Sequence, residues 1–209
     1  KFFEEIYDKV DYGVISGPCH AEEIAMSRRS YLTFSSKNPQ VSSLICQLMT
    51  NSFVSVKQSK DVIGTELSAI LKNIYALLVG VCHGLGYGDN FLSVLISSSA
   101  SELANIIYSV DPKKRKISDS AYLGDLLVTC YSLHSRNRKF GNYIGRGYSV
   151  NNTKASMNMV AEGFNATKCI YELLGETTND YPILKTTYNI LYKNTSPKNQ
   201  IKKLETIID

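Results

Sequence analysis

One charge interrupts the apolar stretch Leu67 to Val81, "LSAILKNIYALLVGV". Desolvation of an ammonium disfavours its charged form, so a buried Lys72 is suited to take and return a proton near neutral pH. The same pattern also fits a lysine whose stem lies along a helix while its head reaches water. Other residues with chemical potential are spread along the chain. Asp125 follows Gly124 and precedes "LLVTC", where it reads either as a helix N-cap or as a site carboxylate. "SRNRKFG" supplies Ser135, Arg136 and Asn137. An arginine fork with directional donors beside it matches a phosphomonoester, although a basic turn in water has the same composition. Gly17 and Ala21 fall where a strand meets a helix, and bare N–H groups there can face an anion or a cofactor.

Metal chemistry finds little support. The five cysteines are Cys19, Cys46, Cys82, Cys130 and Cys169, widely spaced and without a C-x-x-C pair. Cys130–His134, Cys19–His20 and Cys82–His83 give no second ligand pair, so no metal is expected, and the odd count reads as reduced thiols in a cytoplasmic protein.

The 209 residues are 44% hydrophobic and 20% charged, with a net charge of +4. That is an ordinary balance for a chain with a sizeable core, and too mild an excess to argue for nucleic acid. The densest basic run, Lys113 to Lys116, reads as a solvated loop. Sequons at Asn151, Asn165 and Asn194 carry no weight without a secretory signal, and "KFFEEIYDKV" is not one, because acids interrupt its apolar positions. The Leu67–Val81 run is shorter than the roughly 20 apolar residues of a membrane span.

Positioning these residues requires two kinds of structure. Up to residue 60, helical and strand-like stretches alternate. A helix is expected over residues 1–10, then a strand "DYGVISG", a helix opened by Pro18 over "PCHAEEIAMS", and a strand "YLTFSS". Val41, Leu44, Ile45, Leu48 and Met49 follow at helical spacing, and "SFVSVKQ" makes a third strand. This is an α/β pattern with a mostly parallel sheet. After residue 60 only helices are expected, near 61–83, 90–110, 119–134, 156–175, 182–192 and 198–208. The fold class is therefore mainly α: the last βα units of a Rossmann-type domain (1–60), then an all-helical domain (61–209). Gly84, Gly86 and Gly88 in "GLGYGDN" follow a helix instead of a strand and read as a helix end and turn, not a dinucleotide loop.

Four motifs occur in order: "SGPCHAEEIA" (16–25), "ELSAILKNIYALLVGVCHGLGYGDN" (66–90), "YLGDLLVTCYSLHSRNRKFG" (122–141) and "MVAEGFNATK" (159–168). Together the chain resembles the bacterial-type NAD(P)-dependent glycerol-3-phosphate dehydrogenase family, in wording closest to its Bacteroidetes-type members. The resemblance implies a Rossmann-type cofactor domain, of which residues 1–60 would be the tail, and a helical catalytic and substrate domain, with a dimer possible. It implies hydride transfer between NAD or NADP and dihydroxyacetone phosphate or sn-glycerol 3-phosphate, serving phospholipid synthesis. Lys72 matches the catalytic proton acceptor. Gly17, Cys19, Lys72, Asp125, Ser135, Arg136 and Asn137 match substrate contacts, and Ala21, Arg136, Val160 and Glu162 match cofactor contacts. Asn73 matches the second member of a K-N pair, with its role open. Many relatives carry a hydroxyl residue and an aromatic at Cys19 and His20. A phosphate-cradling glycine loop is missing, so weak cofactor binding and no activity are expected of the chain alone. The preference between NAD and NADP is set by residues outside it. The competing readings are a related hydroxy-acid reductase of the same plan and a non-catalytic helical interaction module.

Overall fold

The computed structural model describes residues 10–157, 159 and 161–208. Val160 and nearly all of the expected first helix lie outside the described residues. The three strands described are β1 (Gly13–Ser16), β2 (Ser30–Ser36) and β3 (Val54–Ser59), in that order across one sheet. β2 and β3 are parallel, pairing Ser30 with Val54 through Ser35 with Ser59. β1 runs antiparallel to β2, pairing Gly13 with Ser36 and Ser16 with Thr33. The expectation of a mostly parallel sheet therefore holds only for β2 and β3. The reason lies in the connections. The helix after β1, α1 (Ala21–Ala25), has 5 residues, not the ten expected, and rises only ~8 Å. That is too short a return for a parallel crossover. The next helix, α2 (Pro39–Met49), has 11 residues and does carry the chain back. Asn38 caps α2 by accepting the N–H groups of Gln40 and Val41, with Pro39 in its first turn. Its buried side holds Ser42 and Cys46, while Leu44 and Leu48 of the apolar stripe face outward.

β3 ends at Ser59, and Asp61 then caps α3 (Val62–Gly84) by accepting the Gly64 N–H at 3.1 Å. From Ile74 to Cys82 α3 is apolar on all sides and is buried on all sides, as such a stretch must be. At 23 residues, α3 is long and apolar enough to cross a membrane, and so is the 22-residue α4 (Asp89–Val110), contrary to the length argument made for Leu67–Val81. Here α3 is the core helix: 67% of its most apolar window is buried inside the protein, with Leu71, Ile74, Leu77 and Leu78 inaccessible. Gly84 ends α3, Gly86 has φ +93°, and Gly88 stands at the N-cap of α4, so the three glycines do make a helix end and a turn.

The helix expected over 119–134 is two pieces. A single π-helical turn (Ser120–Gly124) leads into α5 (Asp125–Tyr131). Two helices follow that sequence periodicity does not reveal, α6 (Arg136–Gly145) and α7 (Val150–Ser156). The last three are α8 (Glu162–Leu174), α9 (Pro182–Tyr192) and α10 (Pro197–Leu204). The buried carboxylate of Glu102 on α4 accepts the Ile183 and Leu184 N–H groups at 2.8 and 2.9 Å, which satisfies the first turn of α9 from across the core.

The crossing of α3 and α6 matters most for the site. A side chain on Gly141 would place its Cβ 1.9 Å from the Leu77 carbonyl oxygen, and one on Gly80 would meet the Arg138 carbonyl oxygen at 2.1 Å. Gly84 and Gly145 are packed as tightly against Asn142 and Val81. Four glycines, two per helix at i, i+4, thus let the backbones touch. This close approach sets the start of α6 beside the middle of α3.

Candidate active site

Lys72 lies midway along α3 with its side chain 20% exposed. Its Nζ is 2.7 Å from Oδ2 of Asp125, whose side chain is only 2% exposed. Ser16 Oγ donates to the same oxygen at 2.8 Å, and the Gly17 N–H donates to it at 3.1 Å. A buried carboxylate is costly unless paired and hydrogen-bonded, and Asp125 has both kinds of support. The lysine thus has a carboxylate to offset its lost hydration, a partner that the apolar run alone does not reveal. The alternative reading of Asp125 as an N-cap does not hold. Gly124 occupies the N-cap position in helical geometry, and Asp125 is the first residue of α5, its N–H bonded back across the π turn to Ser120. π turns of this kind are frequent at functional sites. One turn on, Thr129 Oγ1 donates to the Asp125 carbonyl at 2.6 Å.

Gly17 reaches this oxygen because its φ is +137°, a backbone conformation that side chains resist, and a Cβ there would lie 2.4 Å from the Tyr31 carbonyl oxygen. Cys19 follows two residues on. Burial, reinforced by the Asp125 charge and opposed by Lys72, pushes its thiol up, so it stands beside the pair as a neutral group. Ala21 opens α1 and is exposed, and no hydrogen bond joins it to Lys72 or Asp125. His20, just before it, has a buried Nε2 without a hydrogen-bond partner, and its ring lies 6.2 Å from that of His134. The turn after β1 therefore meets the segment that leads into α6.

At the start of α6, the Ser135 hydroxyl caps the helix by accepting the Arg138 N–H at 3.3 Å. Asn137 is buried and fully engaged. Its Nδ2 donates to Asn73 Oδ1 at 2.9 Å, and its Oδ1 accepts the Gly163 N–H at 2.8 Å. Asn73 anchors itself by donating to the Ala69 carbonyl. One amide chain therefore ties the residue next to Lys72 to α6 and to the first turn of α8. Arg136 pairs with Glu162 at 3.0 Å, with both side chains well exposed at 40% and 54%. An exposed pair of this kind contributes little to stability and leaves the guanidinium accessible to an anion.

Of the residues singled out from sequence, Lys72, Asp125, Gly17 and Cys19 form one group. Ser135, Arg136, Asn137 and Glu162 form a second, joined to the first through Asn73. Sequence reasoning missed Ser16, Asn73's bridging role and Gly163. Only Asn73 had a signal, its adjacency to Lys72. The run Lys113–Lys116 is a loop, but not a freely solvated one. Arg115 and Lys113 clamp Asp61 at 2.6 and 2.7 Å, joined by Asp111 and the Tyr122 hydroxyl.

In architecture the chain is a helical body preceded by a small three-stranded α/β segment. The family model described as the C-terminus of NAD-dependent glycerol-3-phosphate dehydrogenase matches residues 61–202, and the chain belongs to that family. A glycerol-3-phosphate dehydrogenase [NAD(P)+] of Staphylococcus aureus is 38% identical over 192 residues, covering 92% of this chain and 58% of the relative. The crystal structure of a glycerol-3-phosphate dehydrogenase from Coxiella burnetii superimposes with a TM-score of 0.88 at 28% identity, over 94% of this chain and 60% of the other. The Plasmodium falciparum enzyme shares the fold, with a TM-score of 0.86 at 18% identity over 96% and 58% of the two chains. The chain thus spans rather more than half the length of the relatives it matches.

Proposed function

We propose that this chain carries the proton-transfer and substrate side of an NAD(P)-dependent glycerol-3-phosphate dehydrogenase, interconverting dihydroxyacetone phosphate and sn-glycerol 3-phosphate. The observation that supports it best is the Lys72–Asp125 pair, locked to the turn after β1 and tied by amides to the helix that begins with Arg136. The reaction needs a proton moved at the oxygen on the substrate's second carbon, and Lys72 Nζ is the group for it. In the oxidation direction the amine takes the hydroxyl proton, and in the reverse direction the ammonium returns it. Asp125 holds the amine in place and balances its charge once it is protonated. Arg136 exchanges its exposed Glu162 partner for the substrate phosphate. Asn137 and Asn73 hold the geometry, and Ser135 and Cys19 border the space.

The residues present fit the reacting end of a nicotinamide cofactor. Arg136 and Glu162 are accessible, Ala21 opens α1, and the orphaned His20 Nε2 beside it can be satisfied by a polar group. A bound nicotinamide would supply the redox chemistry at the substrate carbon. The division at residue 60 into a cofactor-side unit and a catalytic unit, a cytoplasmic setting and a homodimer belong to the same reading.

The test of the substrate uses this chain joined to the portion of the Staphylococcus aureus relative that it does not span. Arg136→Ala is expected to lower kcat/KM for dihydroxyacetone phosphate by roughly 10- to 100-fold, the worth of a charge-assisted hydrogen bond, and to leave the rate with unphosphorylated dihydroxyacetone nearly unchanged. Equal losses for both substrates would favour a reductase of another hydroxy compound.

A further inference from the structure

The helix that begins with Arg136 has a second basic face, which the proposed reaction does not use. A cavity of about 220 Å³ is lined by His83 at the end of α3, Ser132 before α6, and Arg138, Lys139, Asn142 and Arg146 on and just after α6. No carboxylate lines it, and among the described residues none lies within 4 Å of the charged atoms of Arg138, Lys139 or Arg146. The Arg138 Nε is buried and has no hydrogen-bond partner, although its other arm donates to the Tyr131 carbonyl at 2.9 Å. His83 Nδ1 lies 2.6 Å from Asn142 Nδ2, so the ring and the amide are in hydrogen-bond contact at the cavity wall. The polar groups that line the cavity are therefore donors and cations, while much of the remaining wall is apolar, Leu133 among it.

Helix-dipole compensation does not account for this cluster. It explains His83 and Arg146 at helix C-termini, where cations are favoured. Arg138 and Lys139 lie at the opposite end, in the opening turns of α6, where cations are disfavoured and no acid offsets them. A neighbouring cavity shares Arg146 and adds Lys198 and Lys202. Glu205 does not line that second cavity and accepts a hydrogen bond from the Tyr87 hydroxyl, which does. The volume is below the roughly 300–1,000 Å³ of pockets for larger organic ligands and is the size for one small anion.

We infer that the cavity between the end of α3 and α6 is a second anion site, for a phosphate group, held by Arg138, Lys139, Arg146 and His83. It backs onto the helix that presents Arg136 and Asn137, and it is independent of the reaction proposed for Lys72. The test is titration of the ¹⁵N-labelled 209-residue chain with inorganic phosphate, followed by amide shifts. Glycerol 3-phosphate is titrated in parallel, to separate a free-phosphate site from a phosphate-monoester site. Saturable binding in the millimolar range is expected, with shifts centred on Ser132, Asn142 and Arg146. Arg138→Met should weaken it about tenfold. Lys139→Ala and Arg146→Ala, at exposed positions that do not threaten folding, should each weaken it several-fold, and Lys168→Ala, an exposed change outside both sites, should leave it unchanged. The inference is overturned if the chain shows no saturable phosphate binding. It is equally overturned if the only saturable shifts, with either ligand, centre on Gly17, Asn73 and Glu162. Tighter binding of an acidic peptide than of either phosphate ligand would also overturn it, by assigning the cavity to a protein partner.

Discussion

At the residue scale, the proposed chemistry rests on a charge pair that neither partner could sustain alone. Asp125 is buried among three donors from two segments, the end of β1 and α3, and Lys72 is the one full charge among them. Removing one member of such a pair costs more than removing both, because the survivor stays buried without its counter-charge. In urea unfolding, Lys72→Met and Asp125→Asn should each destabilise by about 2–3 kcal/mol, discounted for the lysine's partial exposure. Their double variant should show a coupling of about 1–2 kcal/mol. Strict additivity would mean the pair is incidental. Lys72 was legible in the sequence as an anomaly, and Arg136 as an anion-binding candidate. Asp125 was ambiguous, since a lone acid before an apolar run is also what a cap looks like. Ser16 was not legible at all, because it meets Asp125 across 109 residues of chain and no local pattern records such a meeting.

At the element scale, two devices hold the site's frame, and sequence periodicity reveals neither. α6 is mostly polar, with only Phe140 and Ile144 marking its buried side, so in sequence it reads as a basic turn. It is a helix because its glycines let it lie directly on α3. Gly141→Ala should therefore destabilise by about 3 kcal/mol or more, in the upper range of overpacking costs, and should lower activity further by moving Asn137 from Asn73. A loss below about 0.5 kcal/mol would show that the crossing is looser than the 1.9 Å approach implies. The second device is Glu102. Burial pushes its carboxyl from 4.5 up to about 7, against the lowering effect of the Ile183 and Leu184 N–H groups. A folded value above the unfolded one means the stabilising contribution is complete below pH 4.5 and is lost as the pH rises through 7. At about 1.4 kcal/mol per pH unit, the wild type should lose roughly 3 kcal/mol between pH 4.5 and 8 that Glu102→Gln does not lose. Parallel stability–pH curves for the two proteins would refute this. The long helices α3, α4 and α9, by contrast, were legible nearly to their ends, because apolar spacing and Pro182 mark them plainly.

At the scale of the whole molecule, the site is an assembly problem. Its parts come from the turn after β1, the middle of α3, the start of α5 and the start of α6, and the core built around α3 brings them together. The change from strands to helices at residue 60 could be read from the sequence. The antiparallel β1 could not, since it depends on α1 being too short to carry the chain back. The most direct measurement is steady-state oxidation of NADH and NADPH with dihydroxyacetone phosphate, on this chain completed with the portion of the Staphylococcus aureus relative that it does not span. Wild type and Lys72→Ala are compared. If Lys72 moves the proton, the variant should lose roughly 10²–10⁴-fold in kcat, the range for a general acid–base, with a much smaller change in KM. A Lys72→Ala enzyme that folds and keeps kcat within about twofold of wild type would contradict that role.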